Sequence, residues 1–198
     1  MKATTLPALA LLLAMAPAFV GESAAAAERP SVTVADFTNR SDGAGWWSDE
    51  LGRRLADAVA DELVATGRFE VLEGQLPGRY LVTGVVSTYS DNGGGNGAGV
   101  WLGPIHVGGN RREAYVQIEL RVLDTATSRI VHVHKAEGRS SATGLQLTGY
   151  AGRGISGSFS HAASPQADKA MRAALADAIG YLDCVMARRD RCLARYRS

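Results

Sequence analysis

Residues 114–122, AYVQIELRV, alternate apolar and polar side chains without interruption. This period of two is typical of a β-strand with one face on a core and the other in water. After a four-residue turn, residues 129–135 alternate in the same way, with two valines on one face and His132 and His134 on the other. The two runs therefore predict an antiparallel hairpin whose histidines face solvent.

Apolar residues at helical spacing precede and follow this hairpin. They recur in residues 51–63, between a capping serine at Ser48 and Gly67, a residue suited to the position after a helix end. A second helical stripe follows Ser164, whose next residue is a proline, a favoured start for a helix. The sequence therefore predicts two amphipathic helices, one on each side of the hairpin.

Three further runs complete the predicted sheet: residues 31–37, 69–73 and 80–89. With the hairpin and the two helices, they predict an α+β fold in which a mainly antiparallel sheet has helices packed on one face. Two glycine-rich inserts interrupt this order, at about residues 91–110 and 138–163. Loops of that length in a compact domain usually either have a function or lack fixed structure.

The N-terminus has the pattern of an export signal. A lysine precedes an apolar run over residues 6–20, and a run of small residues then fits a cleavage site. Residues 1–27 are therefore predicted to be a signal peptide and residues 28–198 a single domain. We therefore expect the chain to be exported to the periplasm or to the periplasmic face of the outer membrane. Because the chain has no cysteine before Cys184, we expect it to carry no lipid anchor.

Composition and motifs argue against several functional classes. A net charge of +1 gives no reason to expect nucleic acid as a partner. The sequence lacks the G-x-S-x-G, H-E-x-x-H and C-x-x-C patterns. The glycine pattern at residues 152–157 is not followed by the helix that a dinucleotide site needs. We therefore expect a protein that is not an enzyme and that has no cofactor, metal site or catalytic residues.

Cys184 and Cys192 are the two cysteines of the chain, and export would allow a disulfide. Along a continuous helix their Cα atoms would be about 12 Å apart, whereas a disulfide spans about 4.4–6.8 Å. Either the helix ends between them and the tail folds back, or they pair between chains, or they stay free. Arginines concentrate in the tail, residues 187–198, where they suit the carbonyl end of a helix better than a docking patch.

Several short motifs occur in an order that resembles the curli production assembly/transport component (CsgG) family. Each motif is weakly specific by itself, but together they cover most of residues 31–182. They are VTVADFTN at 32–39, LGRRLAD at 51–57, GRFEVLE at 67–73, YLVTGVV at 80–86 and AYVQIELRVLDT at 114–125. The resemblance implies an α+β domain that acts in the assembly or secretion of exported subunits across the outer membrane and that can form an oligomeric channel.

In this family each subunit contributes two β-hairpins to a membrane pore, which would correspond here to the two glycine-rich inserts. The loop before the first helix narrows that pore, and here it offers Asn39, Trp46 and Trp47 as pore or partner residues. The candidate membrane residues of the inserts are Trp101, Ile105, Val107, Leu145, Leu147, Ile155 and Phe159. The alternatives are loops without membrane contact for the inserts, and packing beneath the start of the helix for Trp47.

The resemblance also implies partners: further copies of the chain, exported subunits or other envelope proteins, and the outer membrane. The alternative function is a soluble periplasmic scaffold or binding module of the same fold, similar to activators of cell-wall synthases. The missing lipid site favours this scaffold, whereas the alternation in residues 155–160 favours the channel.

Overall fold

The structure is a computed structural model that describes residues 29–42, 44–73, 78–91, 113–141, 144–146, 164–189 and 191–196. Its α-helices are α1 (Asp49–Thr66) and α2 (Pro165–Leu182). Its strands are β1 (Ser31–Val34), β2 (Thr38–Asn39), β3 (Glu70–Val71), β4 (Tyr80–Asp91), β5 (Glu113–Asp124), β6 (Arg129–Ser141) and β7 (Gly144–Gln146). A π-helical segment, Asp183–Arg188, extends α2, and 3-10 segments occupy Ala44–Trp46 and Arg191–Arg195.

The strands form one mixed sheet in the order β3-β1-β4-β5-β6-β7, and β2 pairs with β4. β1 is parallel to β3 and β4, whereas the pairs β4–β5, β5–β6 and β6–β7 are antiparallel. Both helices supply buried residues to one hydrophobic core. In this core α2 contacts β5 and β6, while α1 contacts β1 and β3. The predicted α+β class and the predicted β5–β6 hairpin are confirmed.

Capping residues set the ends of the helices. Ser48 Oγ accepts a hydrogen bond from the N–H of Leu51 at 3.1 Å, and Ser164 Oγ accepts one from the N–H of Ala167 at 3.1 Å. Gly67 ends α1 with a φ of 68°, a left-handed conformation that glycine adopts without a side-chain clash. These are the three positions at which the sequence predicts helix ends.

Phe37 interrupts the first predicted strand, so that residues 31–37 are not one continuous β-strand. The N–H of Phe37 donates to the backbone oxygen of Gly52 in α1 at 3.1 Å. Its buried ring lies directly against Gly84 of β4, where a larger residue would not fit. The chain therefore leaves the sheet after β1 to bury this ring and pairs again with β4 as β2.

His132 and His134 face α2, and the predicted orientation towards solvent is wrong. The hairpin register pairs His134 with Leu120 and His132 with Val122, and directly paired residues share a face of the sheet. Leu120 and Val122 are fully buried, so both histidines point to the core side, and Val133 is left 57% exposed. Alternation predicts that a strand has two faces but does not predict which face a helix covers.

β6 continues into the second predicted insert, because residues 138–141 are still paired with β5. The insert therefore begins after Ser141, later than the sequence predicts. Leu145, a candidate membrane residue, has its backbone in β7 opposite Ser140, and its side chain lies outside the description. The other candidates, Trp101, Ile105, Val107, Leu147, Ile155 and Phe159, lie outside the described residues.

Candidate functional site

The first ten of the thirteen residues of β6 lie at an edge of the described sheet. β7 pairs only with Arg139–Ser141, so β5 is the one strand that pairs with residues 129–138 in the described part of the chain; a bulge leaves Val131 without a partner in β5. We call residues 129–138 the β6 edge. Of the four large apolar side chains that are exposed in the described part of the chain, three lie here: Ile130 at 53%, Val131 at 43% and Val133 at 57%. Unpaired backbone groups beside apolar side chains make such an edge a surface for pairing with another strand.

Four side chains form a cluster on the helix side of the β6 edge: His134, Asp177, Tyr181 and Tyr196, which we call the aromatic cluster. His134 Nε2 donates to Asp177 Oδ2 at 2.8 Å. The Tyr181 ring stacks on the His134 ring with centroids 4.3 Å apart, and Tyr196 meets both rings edge-on at 5.2 Å. The Tyr181 hydroxyl donates to the backbone oxygen of Val133 at 3.2 Å. The cluster therefore ties the β6 edge to α2.

Burial dominates the electrostatics around the cluster. It raises the pKa of Tyr181, and for Tyr196 burial and then the charge of Asp177 raise the pKa. Both hydroxyls therefore stay protonated at neutral pH. Burial also lowers the pKa of His132, and the nearby Arg189 guanidinium lowers it further. The folded protein therefore favours the neutral form of this histidine.

Tyr196 reaches the cluster because the chain reverses after α2. The backbone of Arg189 has a left-handed conformation, with a φ of 49°. Its N–H donates to the backbone oxygen of Cys184 at 2.8 Å. Cys184 and Cys192 form a disulfide with their Cα atoms 5.8 Å apart. Of the three alternatives that the sequence leaves open, the structure has the tail folded back. The bond fastens residues 191–196, which we call the C-terminal segment.

A buried carboxylate anchors the base of this region. Asp183 is 3% exposed and accepts two hydrogen bonds from Arg68, at 2.5 Å from Nε and 2.8 Å from Nη2. Arg188 Nη1 lies farther from the same carboxylate, at 4.0 Å. Because Arg68 follows the end of α1 and Asp183 follows the end of α2, this ion pair joins the two helix ends.

The tryptophans proposed as pore or partner residues pack against the end of β4. Trp46 stacks on Tyr89 with ring centroids 3.8 Å apart and planes at 9°, and Trp47 meets Trp46 edge-on at 5.4 Å. Trp47 also lies beside Gly52 of α1. Asn39 is used locally, since its Oδ1 accepts from the N–H and the hydroxyl of Ser41 at 2.9 and 2.8 Å. Trp46 and Trp47 are therefore brought together, and Asn39 serves the turn that follows β2.

Asp91 joins the points from which both glycine-rich inserts depart. It ends β4, and its carboxylate accepts from the N–H and the hydroxyl of Ser164, the cap of α2, at 2.9 and 2.6 Å. The Tyr89 hydroxyl lies 3.4 Å from the same carboxylate. Burial first and Asp91 second raise the pKa of Tyr89, which keeps its hydroxyl protonated as a donor.

Neither a metal-binding cluster nor a helix able to cross a membrane occurs among the described residues. No group of three or more His, Cys, Asp or Glu side chains there is placed to hold a metal ion. No helix in that part of the chain combines the length and the apolar character needed to cross a membrane.

Comparison with known proteins identifies the family. The family model described as curli production assembly/transport component CsgG matches residues 17–77 and 74–198. The chain belongs to the CsgG family. The resemblance drawn from the sequence motifs is therefore confirmed. A search of curated proteins finds no sequence that matches.

Several solved structures have a similar fold. A PelC variant dodecamer from Paraburkholderia phytofirmans is 16% identical over 80% of this chain and 88% of that chain, with a TM-score of 0.45. Protein XCC0632 from Xanthomonas campestris is 11% identical over 84% and 91% of the two chains, with a TM-score of 0.48. A lipoprotein from Neisseria meningitidis is 9% identical over 59% and 86%, with a TM-score of 0.41. At these identities the likeness concerns the fold alone.

Membership of the CsgG family does not assign the residues of a site. The pore or partner role of Asn39, Trp46 and Trp47 stays a prediction. The aromatic cluster was missed in the sequence, where its histidine belongs to a strand face expected in solvent and Tyr196 lies in an arginine-rich tail. One available signal was the alternation of histidine with valine over residues 131–134. An exposed strand face more usually carries charged or strongly polar residues, so histidine was a weak indication of exposure.

Proposed function

We propose that this chain is a non-enzymatic component of the cell envelope that works as a homo-oligomer in the assembly or secretion of exported subunits. The CsgG family supports the envelope role, since its description is that of an assembly and transport component. The observation that carries the homo-oligomer is the β6 edge. A second copy would cover its three exposed apolar side chains and pair with its backbone.

Charge on the two sides of the sheet favours head-to-tail association. The β6 edge lies near one end of the strand order, and β3 is the edge strand at the opposite end. The β6 edge carries exposed Arg129 and Lys135, whereas β3 and the residues after it carry exposed Glu70 and Glu73. Opposite charges would steer these unlike edges together. A contact between unlike surfaces repeats from copy to copy and gives a ring when the rotation closes.

We further propose that exported subunits pass through such a ring. The chain would be exported by its signal peptide, residues 1–27. Both glycine-rich inserts leave the domain at one end, since Asp91 pairs with Ala114, Ala114 pairs with Ser140, and Asp91 binds Ser164. From that end both inserts would extend towards the outer membrane. A soluble periplasmic scaffold is the second candidate.

A matched pair of variants tests the homo-oligomer. Val133→Glu places a charge on the β6 edge, and Val64→Glu places one on α1 at an equivalent exposure, 58% against 57%. Analytical ultracentrifugation of the purified protein should show one large species for the wild type and for Val64→Glu. Val133→Glu should sediment as a monomer, because the carboxylate would be buried without a partner in the interface. A monomeric wild type, or a Val133→Glu variant that assembles as Val64→Glu does, contradicts the proposal.

Fractionation of cells that express the chain with its own N-terminus tests whether subunits pass through a ring in the outer membrane. An oligomer that leaves the outer-membrane fraction only with detergent supports passage of subunits through a ring. An oligomer that is released with the periplasm contradicts passage and supports the scaffold.

A further inference from the structure

We propose that the Cys184–Cys192 disulfide is an assembly checkpoint: it holds the C-terminal segment against His134 and Tyr181 and so prepares the β6 edge to pair with a second copy. This inference rests on the proposed function, because it concerns regulation of the same edge. It predicts that the chain associates more weakly while its thiols are reduced than after the disulfide has formed.

The first step is the attachment of Tyr196. Cys192 lies four residues before Tyr196, and its partner Cys184 lies in the π-helical extension of α2, 1% exposed. Besides the main chain, the disulfide is a second covalent link between the C-terminal segment and this buried residue. Leu193 and Tyr196 are the side chains of the segment that pack against the core. Without the bond, the segment would keep these two side-chain contacts and the hydrogen bond from the Arg189 N–H to the Cys184 oxygen, but it would lose its cross-link to the extension of α2.

The second step is the coupling of Tyr196 to the edge strand. Tyr196 closes one side of the His134–Tyr181 stack, at 5.2 Å from each ring. Tyr181 in turn donates to the backbone oxygen of Val133, in the middle of the β6 edge, at 3.2 Å. His134 holds the same stretch of strand to Asp177 at 2.8 Å. Loss of Tyr196 would open the stack to water and free the Tyr181 side chain, so the edge would lose a support on its helix side.

The third step is the effect on pairing. A strand edge that is already held in its bound conformation associates more tightly than one that must be ordered on contact. The β6 edge is held by β5 on one side and by the aromatic cluster from α2. When the C-terminal segment is held in place, the β6 edge is therefore already ordered. When the segment is released, the free-energy cost of ordering the edge falls on association and weakens it.

The chemistry of the checkpoint is thiol–disulfide exchange with a disulfide oxidant. The two cysteine thiols lose two protons and two electrons and form the S–S bond, and the disulfide of the oxidant gains them and becomes a dithiol. Such oxidants act in the bacterial periplasm, whereas the cytosol keeps thiols reduced. Assembly would therefore wait until export has taken place.

The experiment compares four forms of the full chain: oxidised wild type, wild type reduced with dithiothreitol, Tyr196→Ala and Tyr196→Phe. Tyr196→Ala keeps the disulfide and removes the ring, so it separates the checkpoint from any general loss of stability on reduction. Hydrogen exchange of residues 130–135 reports on the edge, and analytical ultracentrifugation reports on assembly. Reduction and Tyr196→Ala should each speed exchange and weaken association by about fivefold or more, the lower end of ordinary coupling between sites. Tyr196→Phe should behave as the oxidised wild type, since the ring remains.

The outcomes separate the checkpoint from the proposed function. Equal exchange at residues 130–135 in Tyr196→Ala and wild type overturns the coupling, whatever the state of assembly. A wild type that assembles equally well when oxidised and reduced overturns the checkpoint alone. A wild type that remains monomeric when oxidised overturns the proposed homo-oligomer and the checkpoint with it.

Discussion

Gly138 of β6 faces the backbone of α2 so closely that a Cβ atom would overlap the carbonyl oxygen of Ala170 and crowd the amide nitrogen of Ala174. Alanine at this position must move the helix away from the sheet, because backbone atoms cannot turn aside as a flexible side chain can. We expect Gly138→Ala to lower the free energy of unfolding by about 1–3 kcal/mol, the usual cost of overpacking. Urea denaturation followed by circular dichroism measures the change.

Gly45→Ala is the matched control, since a Cβ atom at Gly45 would meet nothing within 4 Å. Its effect on the free energy of unfolding should stay within about 0.5 kcal/mol. Equal effects of the two substitutions would show that the close contact of β6 with α2 does not limit stability.

The Arg68–Asp183 ion pair should matter more than an ion pair on the surface. Arg68→Ala would leave a carboxylate that is 3% exposed, with the Arg188 guanidinium 4.0 Å away. We expect a loss of about 1.5–3 kcal/mol, the range for hydrogen bonds to charged groups. Arg53→Ala is the control: its pair with Glu50 is about 58–59% exposed on both side chains and should cost at most about 1 kcal/mol. Denaturant unfolding of both variants decides, and a smaller loss for Arg68→Ala would refute the anchoring role.

Much of the fold is predictable because its determinants are local. Ser48, Gly67 and Ser164 mark helix ends through contacts within one turn, and the alternation of residues 114–122 marks β5. Phe37 is different, since its N–H bonds to α1 and its ring rests on β4, both distant along the chain. The break between β1 and β2 therefore has no signal in the strand itself.

The candidate site is less predictable than the fold. His134 meets Asp177, which follows 43 residues later, and Tyr196 joins them because the chain reverses at Arg189. No local pattern contains these contacts, so the histidines were assigned to the wrong face. The order of motifs identified the CsgG family, but it did not assign roles to Trp46 or Trp47.

His132 should make stability depend on pH in the neutral range. Its folded-state pKa lies below the usual 6.5, first through burial and then through Arg189. His132 therefore takes up a proton more readily in the unfolded chain than in the folded protein. The free energy of unfolding rises with pH in the range where the folded and unfolded states differ in the protonation of His132. The contribution is fully present above the unfolded pKa of about 6.5 and is lost as the pH falls towards the folded pKa.

His132→Gln isolates this contribution, because the other titrating groups remain in both proteins. Urea unfolding at a series of pH values from 8 to 5 should show a steeper loss of stability on acidification for the wild type than for the variant. Parallel curves for the two proteins would mean that His132 takes up its proton equally well in the folded and unfolded states.

Asp91 should stabilise the start of α2, although it lies 73 positions before Ser164, the cap of this helix. Its carboxylate accepts from the N–H and the hydroxyl of Ser164, and its negative charge lies at the N-terminal end of the helix, where it is favourable. We expect Asp91→Ala to cost about 1.5–3 kcal/mol and to speed hydrogen exchange at the amides of Ala167 and Asp168, which donate to Ser164. Asp61→Ala, on the exposed side of α1, should change stability by less than about 0.5 kcal/mol and leave that exchange unaltered. If the first turn of α2 exchanges at the same rate in both variants, the Asp91–Ser164 contact does not hold the helix start to β4, and the two inserts depart from independently anchored ends.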